Sequence, residues 1–265
     1  VSTPERRALV TGASSGIGKA TARLLAGQGY RVALLARSED KLRALAAELP
    51  GEGHVVLVCD LCHTARIEDA VAKLEQAFGG LDLLVNNAGA GYRALVSELE
   101  DGLLERLFRT NVLALLQTSR LALPLLRRGE LPVVVNVSSV VGRRGIPGQV
   151  AYAASKAAVC SIGEGLRIEW AREGIAVCTL DPALTATGFF EAQPNPSGLP
   201  HPSLEGAWGP ERVAAEILAL DRAPLPERNL RWKWRLLSAL TLFAPRLADR
   251  LLVRNLGDGW SAPRR

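Results

Sequence analysis

Methionine is absent from the 265 residues, cysteine occurs only four times, and no apolar run reaches the roughly 18 residues a membrane-spanning helix requires. The missing methionine, beside basic residues that are mostly arginine, reads as compositional bias. Cys59, Cys62, Cys160 and Cys178 are too few and too internal for a disulfide scaffold. Cys59-Asp60-Leu61-Cys62-His63 matches the C-x-x-C-H pattern of haem attachment and superficially offers metal ligands. Its surroundings argue against both. Cys59 ends the apolar run Val55 to Val58, which reads as a strand, and two thiols with one histidine lack the second half of a zinc site. A c-type haem also needs export, and Val1 to Arg7, polar and proline-containing, does not read as a signal peptide. Reduced thiols, no metal site and a cytoplasmic location are therefore expected. Charge excludes little more. The net +5 is too small to argue for nucleic acid. Its distribution is more telling: from Arg228 onward nine Arg and Lys face two Asp, giving +7 and leaving −2 for the rest.

What the chain does have is alternation. Short apolar runs trade places with helical patterns, there is no internal repeat, and no linker splits off a second domain, so one α/β unit with helices on both faces of a parallel sheet is expected. The organising stretch is Ala8-Leu-Val-Thr-Gly-Ala-Ser-Ser-Gly-Ile-Gly18. Ala8 to Val10 ends a buried strand, Gly12, Gly16 and Gly18 punctuate a turn, and Lys19 to Gln28 has helical spacing. Glycines let backbone approach a ligand, and the helix N-terminus offers free N–H groups to an anion. Alone, the G-x-x-x-G-x-G spacing only approximates the dinucleotide fingerprint and equally fits an ordinary strand-to-helix turn.

Further strands are expected at Arg31 to Ala36, Val55 to Cys59, Leu81 to Val85, Val133 to Val137 and Ile175 to Leu180, with a last one at Leu230 to Trp234. Helices are expected at Glu39 to Leu49, Thr64 to Phe78, Leu103 to Leu126, Val150 to Arg172 and Glu211 to Leu220, with two short ones from Arg235 to Asn255 divided at Pro245. The special residues fall at carboxyl ends of strands or just beyond, where ligands bind in open parallel sheets: Asp60, Asn86-Asn87-Ala88-Gly89, Ser138-Ser139 and Asp181-Pro182. Ala183 to Pro210, rich in Pro and Gly with Phe189, Phe190 and Trp208, reads as a lid or a disordered loop.

Thr11-Gly12-Ala13-Ser14-Ser15-Gly16-Ile17-Gly18, Asn86-Asn87-Ala88-Gly89, Asn111, Ser139 and Tyr152-Ala153-Ala154-Ser155-Lys156 resemble the classical short-chain dehydrogenase/reductase family in order and spacing, from about Arg7 to Leu220. The resemblance implies a single Rossmann-type, doubly wound parallel sheet of about seven strands flanked by helices, with a C-terminal helical extension. It divides the chain into an NADP-binding catalytic part, 1–228, with a substrate loop at 183–210, and a basic amphipathic extension, 229–265, of the same unit. It assigns catalysis to Ser139, Tyr152, Lys156 and Asn111, with Asn111 interrupting its helix to hold a water that relays protons to Lys156. Family spacing puts the serine thirteen before the tyrosine, which selects Ser139 over Ser138, left to local backbone bonds. It assigns cofactor contacts to Gly12, Ser14, Ser15, Gly16, Ile17, Gly18, Arg37, Ser38, Asp60, Leu61, Asn87, Ala88, Gly89, Tyr152, Lys156, Pro182, Leu184 and Thr187. Where the family commonly has Pro-Gly, this chain has Pro182-Ala183.

The chemistry also follows from the residues. Tyr152 and Lys156, four apart on a helix, share one face. A phenol of pKa about 10 is a poor base at neutral pH. A nearby ammonium favours the phenolate, and a three-unit shift needs roughly 4 kcal/mol of differential interaction. Arg37 stands where an NAD enzyme usually places an acid, and its fork suits a 2′-phosphate, which points to NADP(H); an exposed strand-end arginine is the plainer reading.

The expected pocket walls, Tyr92, Val141, Ile146, Leu184, Phe189, Phe190 and Trp208, are apolar and suit a hydrophobic ketone, aldehyde or alcohol. Arg143 and Arg144 read either as steering an acidic substrate or as a solvated pair. Glu130 and Glu173 stand where the family's carrier-protein reductases tend to have basic residues, which weakens a fatty-acid-synthesis role. Two functional readings stay open: an NADP(H)-dependent carbonyl reductase, assembled as a homodimer or homotetramer, and an inert NADP-binding redox sensor. Beyond Asn229, Leu236, Leu240, Phe243, Leu247 and Leu251 form one apolar stripe, expected to be buried on the catalytic core or a second subunit, with peripheral membrane contact as the alternative. Pro245 opens the second short helix and Asn255 with Gly257 closes it.

Overall fold

The computed structural model describes residues 5–230 and 232–256. Seven parallel strands form one sheet: β1 Arg7–Thr11, β2 Arg31–Ala36, β3 Val55–Val58, β4 Leu83–Asn86, β5 Val133–Val137, β6 Ala176–Asp181 and β7 Glu227–Asn229. Their order is β3-β2-β1-β4-β5-β6-β7, so the winding reverses between β1 and β4. There the chain leaves neighbouring strands in opposite directions and opens a crevice at their carboxyl ends. The central strands are nearly continuous Val, Leu and Ala, as a sheet covered on both faces requires.

Alternate strand side chains serve two cores. One holds Val10, Leu34, Val85, Val135 and Leu180 against α1 Gly16–Gly27, α2 Glu39–Glu48 and α7 Pro210–Arg222, through Leu25, Leu42 and Ile217. The other holds Leu9, Leu35, Leu84, Val134 and Val177 against α3 Thr64–Phe78, α5 Ala114–Leu126 and the end of α6 Val150–Glu169, through Leu74, Ala122 and Trp170. The helix expected over 103–126 is not continuous. α4, Asp101–Phe108, passes into a π-helical turn at Arg109–Leu113 before α5 begins.

The carboxyl-terminal part departs from expectation twice. The last strand is Glu227–Asn229 rather than Leu230 to Trp234; it pairs with the edge of β6, and Trp232–Phe243 is a helix, α8. A three-residue polar edge strand has no hydrophobic period to betray it. On the catalytic core the apolar stripe is left largely uncovered. The chain turns at Ala244 and α9 Pro245–Leu256 folds back on α8. Ala248 and Leu252, beside the stripe, go inside, whereas Leu236, Phe243, Leu247 and Leu251 are exposed. Gly257, expected to close α9, lies outside the described residues.

Candidate active site

The glycine turn is a cradle that side chains would fill. Gly12 has φ +69, and a Cβ on it would stand 2.9 Å from the Ala88 Cα. A Cβ on Gly18 would stand 2.2 Å from the Gly12 carbonyl oxygen, and one on Gly16, φ +50, would meet the Thr187 methyl at 3.2 Å. Ser15 occupies the N-cap of α1 in extended conformation without capping it, and Ser14 is half-buried beside it. The Ile17 side chain leans on the core. The first N–H groups of α1 therefore meet the crevice with no side-chain cap from Ser15, an anion-binding geometry. Residues present here fit the diphosphate of a dinucleotide.

Around the turn, Asn87 donates from Nδ2 to the Thr11 carbonyl at 2.9 Å, and the Asn87 and Ala88 N–H groups donate to Thr11 Oγ1 at 2.9 and 3.0 Å. The segment 87–89 is thereby stapled to β1. Arg37 is exposed at the end of β2, with exposed Ser38 at the N-cap of α2. Asp60 follows β3. Burial pushes its carboxyl up, but the hydrogen bond from the Cys62 N–H and the charges of Arg106 and Arg37 outweigh that and hold it below the usual carboxylate range. Leu61 is buried in the core, so only its backbone can face the crevice. Cys62 Sγ lies 3.3 Å from Thr110 Oγ1, and Cys59 is buried.

Asn111 sits in the π-helical turn, where a slipped hydrogen-bond register frees backbone groups. Its side chain is committed on both sides: Oδ1 accepts from Ala90 N at 2.7 Å, and Nδ2 donates to the Ala90 carbonyl at 3.0 Å and to Ser155 Oγ at 2.9 Å. Asn111 Oδ1 and Lys156 Nζ each stand 3.4 Å from where a Gly89 Cβ would be, so the absence of a side chain at 89 is what lets them converge. Lys156 Nζ donates to the Val137 carbonyl at 2.9 Å. Ser138 points elsewhere, donating to the Lys156 carbonyl at 2.8 Å, whereas Ser139 Oγ accepts from Val141 N at 3.4 Å and lies close enough to the Tyr152 hydroxyl to pull its pKa down.

A lowered phenol pKa was the expectation; in the polypeptide itself burial dominates. It raises the Tyr152 phenol above its ordinary value, with only the Ser139 hydrogen bond opposing, and pushes Lys156 down to about 8 against the pull of Cys160 and Asp181. Desolvation shifts both groups toward their neutral forms.

A family model described as short chain dehydrogenase matches residues 6–197. The chain belongs to the short-chain dehydrogenases. An uncharacterized oxidoreductase of Mycobacterium tuberculosis is 34% identical over 252 residues, covering 92% of this chain and 96% of that protein. A short-chain dehydrogenase from Streptomyces avermitilis superposes with a TM-score of 0.81 at 29% identity, over 98% of this chain and 100% of its own. An alcohol dehydrogenase from the archaeon Thermococcus sibiricus, solved with 5-hydroxy-NADP, superposes with a TM-score of 0.75 at 30% identity, over 85% and 95%.

In this dehydrogenase the 183–210 segment is docked over the tyrosine. The Phe189 ring lies 5.7 Å from that of Tyr152 and packs edge-on against Phe190. Arg93 N donates to the Pro194 carbonyl, Leu95 N donates to Ser197 Oγ, and buried Gln193 lies against Gly91. Tyr152 and Ile146 pack on the cluster that holds Val141, and Ala183, not among the expected walls, joins them there. Pro182 is buried, and its carbonyl accepts from Val140 N at 3.0 Å. Leu184 and Trp208 bond through their backbones, and the Trp208 ring is covered by the Arg212 guanidinium at 3.5 Å. Tyr92 is 2% exposed, and its hydroxyl accepts from the Glu100 N–H, so it supports the wall from within.

Sequence reasoning missed three residues here. Trp234 packs from α8 against the cluster of Val140, Val141 and Ala153, a placement hidden by the strand expected there. Arg143 does not lie solvated at the surface. It donates from Nε to buried Asp181 at 3.0 Å and also pairs with Glu164 and Glu227, while Arg144 pairs with Asp249. Asp181, at a strand end, was the readable half of that pair; its carboxyl is pushed up by burial despite Arg143.

Proposed function

We propose that the chain is an NADP(H)-dependent oxidoreductase that interconverts a hydrophobic ketone or aldehyde and its alcohol. The observation that carries this reading is Tyr152 beside Ser139 under Phe189, one helical turn before Lys156, whose Nζ reaches the Asn87–Gly89 loop of the glycine cradle. The nicotinamide, when bound, gives or takes the hydride. Tyr152 gives its proton to the carbonyl oxygen in reduction and takes it back in oxidation. Ser139 donates a hydrogen bond to the same oxygen as charge develops on it. Lys156, with a pKa of about 8, is mostly an ammonium at neutral pH and supports the phenolate that Tyr152 becomes. Asn111 positions rather than reacts: its side chain locks the Ala90 backbone and Ser155, the residue before Lys156. Phe189, Val141 and Ile146 exclude water and favour an apolar substituent on the carbonyl. The support for the phosphorylated cofactor is Arg37, an exposed guanidinium with no acid in its place at the end of β2.

The test is a panel of apolar ketones and aldehydes with NADPH and with NADH, followed by nicotinamide absorbance. Turnover is expected with NADPH preferred. Tight NADPH binding without turnover on the whole panel supports the redox-sensor reading instead, and a preference for NADH removes Arg37 from the cofactor site.

A further inference from the structure

We infer that the α8–α9 hairpin is a docking surface for an anionic lipid bilayer. At the turn between the helices Leu242 and Phe243 are 80% and 86% exposed, and Leu236 on α8 is 61% exposed. Other strongly exposed apolar residues, such as Val96, Leu131 and Ile168, belong to separate elements or loops. Here they share one hairpin, two of them at its turn.

The charge around them is of one sign. On α9, Ala248 and Leu252 form the row that packs inward. Residues one and two positions earlier lie about 100° and 200° round the helix, so Leu247 and Leu251 form an adjacent row, and Arg246, Arg250 and Arg254 one nearly opposite the buried row. Apolar and basic rows thus share the outward half of α9. Asp249, the only acid between Asn229 and Leu256, lies on the far side of the buried row and is tied to Arg144. A protein partner would need an acidic face with apolar holes cut to fit Leu242 and Phe243. A bilayer with acidic headgroups supplies both without shape matching. The hairpin is anchored on its other side by Trp234, which packs on Val140 and Val141, so the docking face and the tyrosine site are held by one element. Among the described residues no helix is long and apolar enough to cross a membrane, so this contact lies in the interface.

The test uses the full chain in flotation with phosphatidylcholine vesicles, with and without one-third phosphatidylserine. Binding is expected to the anionic vesicles alone and to fall away at about 1 M salt, where the screening length is roughly 3 Å. Leu242→Ser with Phe243→Ser is expected to lower the partition coefficient at least roughly 10- to 100-fold. Arg246→Glu with Arg250→Glu is expected to lower it more than about 100-fold. Melting temperatures report that both variants remain folded. Failure of the full chain to float, equal flotation on both vesicle types, or flotation of either variant at the wild-type level overturns the inference. So does a dimer in vesicle-free solution that dissociates with Leu242→Ser and Phe243→Ser while the wild type does not float, which assigns the face to a second copy. None of these outcomes depends on which cofactor the crevice holds.

Discussion

The crevice between β1 and β4 and the hairpin of α8 and α9 are built on opposite terms. In the crevice, backbone geometry leaves no choice. Three glycines sit where a Cβ would strike main chain or side chain, Thr11 staples the next loop, and Asn111, Ser155 and Lys156 are held to within hydrogen-bond distance of named partners. In the hairpin, local helix patterning is just as clear, yet Leu236, Leu242, Phe243, Leu247 and Leu251 are exposed. Helical periodicity states that a face is apolar; it does not state against what the face is laid. Patterns therefore locate chemistry where the backbone itself is constrained, and locate only a possibility of contact where side chains alone are.

The comparison breaks most sharply at Tyr152. Tyr152→Phe keeps the ring against Phe189 and removes only the proton, so kcat is expected to drop by about 10²–10⁴-fold with NADPH affinity nearly intact. Residual turnover above a tenth of wild type takes the proton-transfer role from Tyr152. Next comes Arg143→Leu, which leaves the Asp181 carboxylate buried beside Cys160 without its partner. Removing one member of such a pair is expected to cost about 3–5 kcal/mol in denaturant unfolding, and a loss below 1 kcal/mol on that scale means the pair is dispensable.

Lys156 gives the third effect. Its pKa is lowered by burial from 10.5 to about 8. Between those values the unfolded chain holds a proton that the folded chain has released, so this group makes stability rise with pH across that window; below it the folded state carries the whole cost of burying an ammonium. Lys156→Met is expected to add roughly 3 kcal/mol at neutral pH and to flatten the rise. An unchanged pH–stability curve rules the buried ammonium out as its source. Tyr152, whose phenol is raised, acts the other way above pH 10: the folded chain keeps its proton and stability declines.

Smaller again is Arg37→Asp. Losing one charge-assisted contact is expected to weaken NADPH binding roughly 10- to 100-fold and to favour NADH. Equal NADPH affinity before and after leaves Arg37 as a surface residue. Last, the outward pair on the hairpin: Leu242→Ser with Phe243→Ser is expected to move stability by no more than about 0.5 kcal/mol, as exposed substitutions do. A large loss there shows that the hairpin is as constrained as the crevice, and the contrast between the two regions fails.

Six of the strands and the strand-end residues were legible because a parallel sheet writes itself as buried apolar runs ending in polar residues. The glycine turn, Asn87 to Gly89, and the Tyr152–Lys156 face were legible for the same reason: local backbone or helix geometry dictates them. What escaped was either too short to have a period or joined across the chain. β7 is three polar residues on an edge. Arg143 finds its acid thirty-eight residues later, and nothing near Arg143 in sequence announces Asp181. The break in the helix around Asn111 is a slip of hydrogen bonds, which side-chain patterns do not record; its place in the chain came only from resemblance.

The π-helical turn at Arg109–Leu113 also limits how this chain can change length. A π turn holds one residue more than the α-helix around it. Deleting one residue there would close it into an ordinary α turn and leave α4 and α5 in nearly their present phase, because the extra residue is what the wider turn absorbs. Leu107 would keep its buried seat, but Asn111 would lose the bulged position from which it reaches Ala90. Insertions and deletions are tolerated in loops, but this turn must be inherited at its full count, and the count itself acts as part of the site.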